Sequence, residues 1–201
     1  MKLYYKRGTC ALATHIALLE IGVPFETEKV DLATKKTASG GDYYAVSPNG
    51  YVPALEFDGQ VLTEIVSVLL YIADLKPEAR LAPPKDAFER YRLLQWLGFI
   101  NSEVHKTYTA YFAPGATDAE KQRASEKLAK RIDFVERSLG DRPYLLGEQF
   151  TVADCYLYTV LGWASVAKLD LARWPKVQAY FQRIDQRPAV RKAHEDEKAA
   201  A

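Results

Sequence analysis

Apolar residues recur along this chain in two rhythms, and the change between them divides it. In the first third, short apolar runs alternate with helical spacings. Lys2–Tyr5 is a compact apolar and aromatic run suited to a strand, closed by Gly8. Leu12, Ile16 and Leu19 then repeat at helical spacing from Thr9 or Cys10 to Gly22, where Gly22 and Pro24 stop the helix. Glu26–Asp31 is predicted as a second strand. A polar, glycine-containing stretch from Ala33 to Asp42, a short helix and a turn at Ser47-Pro48-Asn49-Gly50 follow it. Val52-Pro53 leads into a strand at Ala54–Phe57, Asp58-Gly59 signals a hairpin, and Gln60–Thr63 returns. Glu64–Leu75 carries Val66, Leu69, Leu70 and Ala73 on one helical face. The order is β-α-β-α-β-β-α. Its first half needs a crossover and therefore a parallel pair, so the expected fold is a mixed four-stranded α/β sheet covered by helices.

Beyond this region the strand rhythm disappears. Residues 76–86 hold Pro77, Pro83 and Pro84 among charged side chains, which forbids a continuous helix and keeps the segment at the surface. The expected domains are 1–76, a linker at 77–86, and an all-helical domain at 87–201. In the latter, Phe88–Phe112 reads as one long helix ended by Pro114-Gly115. Ala124, Leu128, Ile132, Val135 and Leu139 stripe a second, stopped by Gly140. Thr151–Lys168 is nearly all apolar, as a helix buried on most sides would be. Trp174-Pro175 opens another with proline in its first turn, Arg187-Pro188 precedes a final short helix, and Glu195–Ala201 reads as a frayed tail.

Composition narrows the function. The 201 residues carry 48% hydrophobic and 26% charged side chains with a net charge of +1, which suits a globular protein and offers phosphate no bulk attraction, so no nucleic-acid partner is expected. No apolar run is long enough to span a bilayer, and charges interrupt the N-terminus too early for a signal or transit sequence; the cytoplasm is the expected location and no membrane partner is. Two cysteines make no disulfide framework and fit a reducing compartment. His15, His105 and His194 lack the spacing of a zinc site, so no metal is expected.

Cys10 is the first residue with chemistry to offer. At the start of a helix a thiolate faces unpaired N–H groups and the positive end of the dipole, which lower its pKa, and Lys6 and Arg7 add charge nearby; the alternative is a buried cysteine acting as a small hydrophobe. His105 sits inside a helix, where histidines are commonly surface or core-edge residues. Val52-Pro53 precedes a strand, and a cis bond there would offer the Val52 backbone as an edge for an extended peptide. Glu64 opens a helix, where a carboxylate is favourable for stability alone and can also hold a ligand's amino group. Thr151-Val152-Ala153-Asp154 is a capping box with aspartate in place of glutamate, flanked by Phe150 and Cys155 at staple positions, and reads as structural. Tyr108, Tyr111, Phe112 and Trp163 are aromatic enough to line an apolar pocket or to fill a core.

Together these segments resemble the glutathione transferase superfamily, most closely its bacterial beta class. The resemblance is carried by Lys2-Leu3-Tyr4-Tyr5 with Gly8-x-Cys10, by Asn49-Gly50-x-Val52-Pro53-Ala54-Leu55, by Leu62-Thr63-Glu64 and by Phe150-Thr151-Val152-Ala153-Asp154. Asp31-Leu32 with Lys35-Lys36-Thr37 and Ser102-Glu103-Val104-His105-Lys106 support it, in order along the whole chain. It implies a thioredoxin-like N-terminal domain, a helical C-terminal bundle and a homodimer. It also implies glutathione as co-substrate, with no other cofactor. Cys10 would contact the glutathione sulfur, with Tyr5 in the same site; Lys35 would hold the glycyl carboxylate. Val52, before a cis Pro53, would pair with the cysteinyl backbone, and Glu64 with the Ile65 backbone would bind the γ-glutamyl end. Ser102, Glu103, Val104 and His105 would close the site, His105 near the sulfur. Arg7 stands where the family often has proline, and Ile65 where it has glycine or serine.

The expected activity is conjugation of reduced glutathione to small hydrophobic electrophiles, a detoxification chemistry, with Cys10 and His105 as catalytic residues. Glutathione-dependent disulfide or peroxide reduction through Cys10 is an alternative. A non-catalytic binding subunit on the same fold is another.

Overall fold

The computed structural model describes residues 1–199 and divides into two compact units, residues 1–82 together with the segment from Arg187 onward, and Pro83–Gln186. The first unit is built on five strands in the order β3-β2-β1-β4-β5: β1 (Lys2–Tyr5), β2 (Glu26–Asp31), β3 (Lys36–Thr37), β4 (Ala54–Phe57) and β5 (Gln60–Leu62). β1 runs parallel to β2 and antiparallel to β4, as the crossover requires. The two central positions of the β4–β5 turn, Asp58 and Gly59, have φ of 47° and 73°, the paired positive angles of the tight hairpin that the dipeptide signals.

The fifth strand corrects the expected count of four. Lys36 and Thr37 pair antiparallel with Asp31 and Val30 inside the stretch read as polar loop. Two residues are too few to show an alternation, and only Thr37 of the pair is buried. The helix expected before Ser47 is a single 3-10 turn, Tyr43–Ala45, capped by the Asp42 side chain.

Two helices cover the sheet, α1 (Ala11–Ile21) and α2 (Ile65–Leu75). Gly22 ends α1 in the left-handed conformation at φ 65°, where its N–H reaches the Leu18 and Leu19 carbonyls. A third helix belongs to this unit: α8 (Pro188–Ala199) packs on α1, although the sequence places it in the helical domain. Its start is tied to the end of α1 by a two-pronged ion pair, Arg187 Nε to Glu20 Oε1 at 2.6 Å and Nη2 to Oε2 at 2.8 Å. The tail expected to fray from Glu195 is helical through Ala199; Glu197 is 3% exposed and accepts the Gly8 N–H. Ala200 and Ala201 lie outside the described residues.

The second unit is helical: α3 (Phe88–Phe99), α4 (Thr109–Phe112), α5 (Asp118–Leu139), α6 (Val152–Leu161) and α7 (Pro175–Asp185). The expected continuous helix from Phe88 to Phe112 is interrupted. After α3 the chain makes a wide π turn at Ile100–Val104 and a tight 3-10 turn at His105–Tyr108. Ser102 Oγ bonds back to the Gly98 carbonyl and Thr107 Oγ1 to that of Glu103, the side-chain competition that deforms helices. The expected span Thr151–Lys168 likewise shortens: α6 ends at Gly162, and a 3-10 turn takes Ala164–Ala167.

The core of this unit is organised around a carboxylate. Asp154 is fully buried and accepts four hydrogen bonds. Oδ1 takes the Leu145 N–H at 2.9 Å and the Tyr180 hydroxyl at 3.0 Å; Oδ2 takes the Thr151 N–H at 2.8 Å and its hydroxyl at 2.9 Å. The capping box thus also fastens the 145 loop and α7 to the start of α6. Burial pushes the Asp154 carboxyl up to about 6, against the pull of these donors. Asp154→Ala strands four buried donors and is expected to cost about 3 kcal/mol or more. Calorimetry should read this as a fall in Tm of about 6 to 12 °C; an unchanged Tm would contradict the assignment.

Candidate functional site

The turn from β1 into α1 is drawn tight by Thr9, whose N–H and hydroxyl both reach the Lys6 carbonyl, at 3.3 and 2.6 Å. It delivers Cys10 to the cap position of α1, 8% exposed, where Sγ donates to the Val52 carbonyl at 3.4 Å. Burial pushes the thiol up to about 12. The backbone N–H at the helix start pulls it down and Glu64 raises it further, but desolvation dominates. The depressed pKa suggested by the helix terminus is therefore corrected: Cys10 is a protonated donor here, because a thiolate in this position loses more hydration than one N–H returns.

The Val52 carbonyl is held from outside. Val52-Pro53 is cis, and the loop before it is braced at Tyr51, whose carbonyl accepts the Tyr43 hydroxyl at 2.8 Å and the Ser47 hydroxyl at 3.1 Å. Lys35 Nζ donates to the Gly50 carbonyl at 2.9 Å and lies over the Tyr51 ring. Position 50 favours glycine. Its φ is 64°, and a Cβ would stand 2.9 Å from the Tyr44 ring and 3.2 Å from the Lys35 chain. Lys35 itself has φ 57°, so its backbone is bent to reach this loop.

Glu64 also stands at positive φ, 65°, immediately before α2. A non-glycine residue there costs about 1–3 kcal/mol, and such strain gathers where a group must be held for use. Its carboxylate is exposed and close enough to Cys10 to raise that thiol. Ile65 turns its side chain into the core at 5% exposure. Tyr5 is 2% exposed with its ring beside His15; burial, then the charges of Glu197 and Asp196, raise its hydroxyl. The first unit therefore gathers Cys10, Val52, Pro53, Lys35, Glu64 and Ile65 along the ends of β1, β4 and α2, and sets Tyr5 against the last helix.

In the helical unit, His105 is half-buried. Its Nδ1 lies 2.6 Å from the Tyr156 hydroxyl, which donates to Asn101 Oδ1 at 3.0 Å. Burial, then the charge of Lys106, lowers the imidazole to about 4, so it is neutral at pH 7. Trp163 meets His105, Tyr108 and Phe112 edge to face with centroids 5.2 to 5.5 Å apart. Within this cluster Phe112 is 55% exposed and Tyr108 fully buried with an unpartnered hydroxyl. Tyr111 donates to the Lys121 carbonyl and acts electrostatically on the Tyr108 hydroxyl. Of the neighbouring candidates, Ser102 is exposed, Val104 is core, and Glu103 is bonded to Arg131 at 2.6 Å and paired with Lys127. Sequence reasoning missed Asn101 and Tyr156, whose link to His105 crosses 51 residues and leaves no local signal.

Among the described residues no cluster of histidines, cysteines and carboxylates is arranged to hold a metal, and no helix is long and apolar enough to cross a membrane.

Family models for the N-terminal and C-terminal domains of glutathione S-transferase match residues 8–75 and 99–188. The chain is 42% identical over 194 residues to the glutathione S-transferase GstA of Escherichia coli O157:H7, covering 96% of each. A sphingomonad glutathione S-transferase complexed with glutathione superposes with a TM-score of 0.96 at 45% identity, over 98% of this chain and 99% of that one. The bacterial beta-class glutathione S-transferase of Sphingomonas chungbukensis superposes at 0.95, also 45% identical, over 98% of each chain.

Two titrations check the electrostatics. The His105 imidazole should titrate near pH 4 by NMR. Because the unfolded chain binds that proton near 6.5, the stability its burial confers is complete above pH 6.5 and lost as pH falls toward 4. Alkylation of Cys10 by iodoacetamide should be slow at pH 7 and accelerate toward pH 12; fast alkylation at pH 7 would contradict a buried, protonated thiol.

Proposed function

The chain belongs to the glutathione S-transferase family and resembles its bacterial beta class, and on that premise we propose that it conjugates reduced glutathione to small hydrophobic electrophiles. One observation carries the choice of reaction: the Cys10 thiol is buried, protonated and bonded to the Val52 carbonyl. Desolvation holds Cys10 as the thiol at pH 7. Disulfide reduction through Cys10 requires that thiol as a nucleophile. Conjugation does not, because the attacking sulfur is the substrate's own.

The roles follow the chemistry of each group. The Val52 backbone beside Pro53 pairs with the cysteinyl part of the tripeptide, and Lys35 takes the glycyl carboxylate. Glu64 binds the γ-glutamyl ammonium while N–H groups at the start of α2 take the carboxylate beside it. On binding, the Cys10 S–H turns from the Val52 carbonyl to the incoming sulfur and favours the thiolate by a hydrogen bond, which frees that carbonyl for the tripeptide. In the helical unit Phe112 and Trp163 offer apolar surface to the electrophile, and His105 handles the thiol proton.

We also infer a homodimer. The solvent-facing side of α3 carries Phe88 and Tyr91 at 67% and 64% exposure with Leu94 beside them, an apolar strip that a second copy would cover. Light scattering should give twice 22.6 kDa; a monomer would remove this part of the reading.

Steady-state kinetics with an aryl halide test the reaction. Lys35→Ala removes a charged hydrogen bond and should raise the KM for glutathione at least about tenfold, with little change in kcat. Cys10→Ala should keep measurable conjugation while losing any reversible mass gain with oxidised glutathione. Abolished conjugation in that variant would return Cys10 to the role of nucleophile, and failure of the wild type to bind immobilised glutathione would favour a binding subunit.

A further inference from the structure

His105 has two ring nitrogens, and in a neutral imidazole only one carries the proton. Which one decides whether its free nitrogen gives or accepts a hydrogen bond. The Tyr156 hydroxyl has a single proton, and it points to Asn101 Oδ1 at 3.0 Å. The 2.6 Å contact with His105 Nδ1 therefore requires the proton of that bond to come from the ring. Tyr156 is fully buried and Asn101 sits in the π turn, so the chain runs from a fixed core residue to an irregular stretch of helix. The ring is also packed edge to face by Tyr156 and Trp163, with centroids 5.7 and 5.2 Å away. Nε2 makes no hydrogen bond among the described residues.

We infer that Tyr156 and Asn101 are positioning residues that hold His105 as its Nδ1–H tautomer, so that Nε2 acts on the substrate as an acceptor and not as a donor. This rests on the conjugation reading. In the reaction Nε2 takes the proton of the glutathione S–H, and the sulfur's electron pair forms the C–S bond to the electrophile. A halide, where there is one, leaves with its own bonding pair. The imidazolium keeps its Nδ1–H on Tyr156 and then returns the Nε2 proton to water. Forming the thiolate beside the ring favours the ring's charged form, which offsets the low basicity of the resting imidazole. The opposite tautomer would place an N–H where the acceptor must be, and could only stabilise a thiolate made elsewhere.

The π turn gains a purpose on this view. It displaces Asn101 from regular helical register, and that residue is the one that collects the Tyr156 proton.

Nitrogen-15 NMR of histidine-labelled protein at pH 7, without substrate, reads the tautomer directly. A pyrrole-type Nδ1 and a pyridine-type Nε2 are expected for His105; the reverse assignment would overturn the proposal whatever the activity. Tyr156→Phe should shift the population toward the Nε2–H form and lower kcat about tenfold or more, with the KM for glutathione within about twofold. Asn101→Asp, at an exposed position that a change of fold need not follow, keeps an acceptor for Tyr156 and should retain both tautomer and kcat, whereas Asn101→Leu should lose both. Wild-type kcat in Asn101→Leu, or a tautomer unchanged in Tyr156→Phe, would also overturn it. If the NMR assignment holds while wild type shows no conjugation, the failure lies with the proposed reaction and not with the positioning chain.

Discussion

A buried thiol needs an acceptor for its S–H, and Cys10 donates its own to the Val52 carbonyl. That contact joins two segments 42 residues apart and fixes what the first unit can do. The carbonyl is available because the chain around it is held by Tyr43, Ser47 and Lys35, each bonded to the backbone at Gly50 or Tyr51. The thiol is available because Thr9 folds the preceding turn onto Lys6. Antiparallel pairing of β1 with β4 brings the end of β1 and the start of β4 to the same end of the sheet. Loosening any of these braces frees the thiol to find water, and its protonation state would change with its solvation.

Much of this was legible in the sequence, for local reasons. A helix that starts after a strand and a glycine, a hairpin marked by Asp58-Gly59, and proline before a strand all write their geometry into neighbouring residues. The chain order of those marks gave the family resemblance, and the comparisons bear it out across both units. What was not legible is the balance of opposing effects at one atom. The helix terminus predicts a lowered thiol pKa at Cys10, and the N–H contribution is present. Burial, which depends on neighbours from β4 and α2, is larger and reverses the outcome.

The same limit explains the remaining departures. Lys36-Thr37 forms an edge strand by pairing across a turn, and a two-residue strand has no period to detect. Glu195–Ala199 has a polar composition that suits a frayed end, yet α8 is held along α1 by Arg187 on Glu20 at one end and by buried Glu197 at the other. In both cases the deciding partner is remote in sequence. Asp154 was the exception: its bonds to Thr151 lie within one turn and could be read in advance, while those to Leu145 and Tyr180 could not.

Two buried polar groups of the helical unit, Asp154 and Tyr156, end in defined chains of donors and acceptors, whereas the Tyr108 hydroxyl does not. Asp154 closes such a chain on itself, four donors to one acceptor, and the result is rigidity. The Asn101–Tyr156–His105 chain is open: it starts on an exposed amide, passes through a buried phenol and ends on an imidazole whose far nitrogen makes no bond within the unit. A closed chain has nothing left to offer a substrate, whereas an open one transmits a defined proton position to its free end. The distortion of the helix at Ile100–Val104 belongs with the second kind. A regular helix through this segment would satisfy more backbone hydrogen bonds, and its interruption is understandable where side-chain placement outweighs that gain.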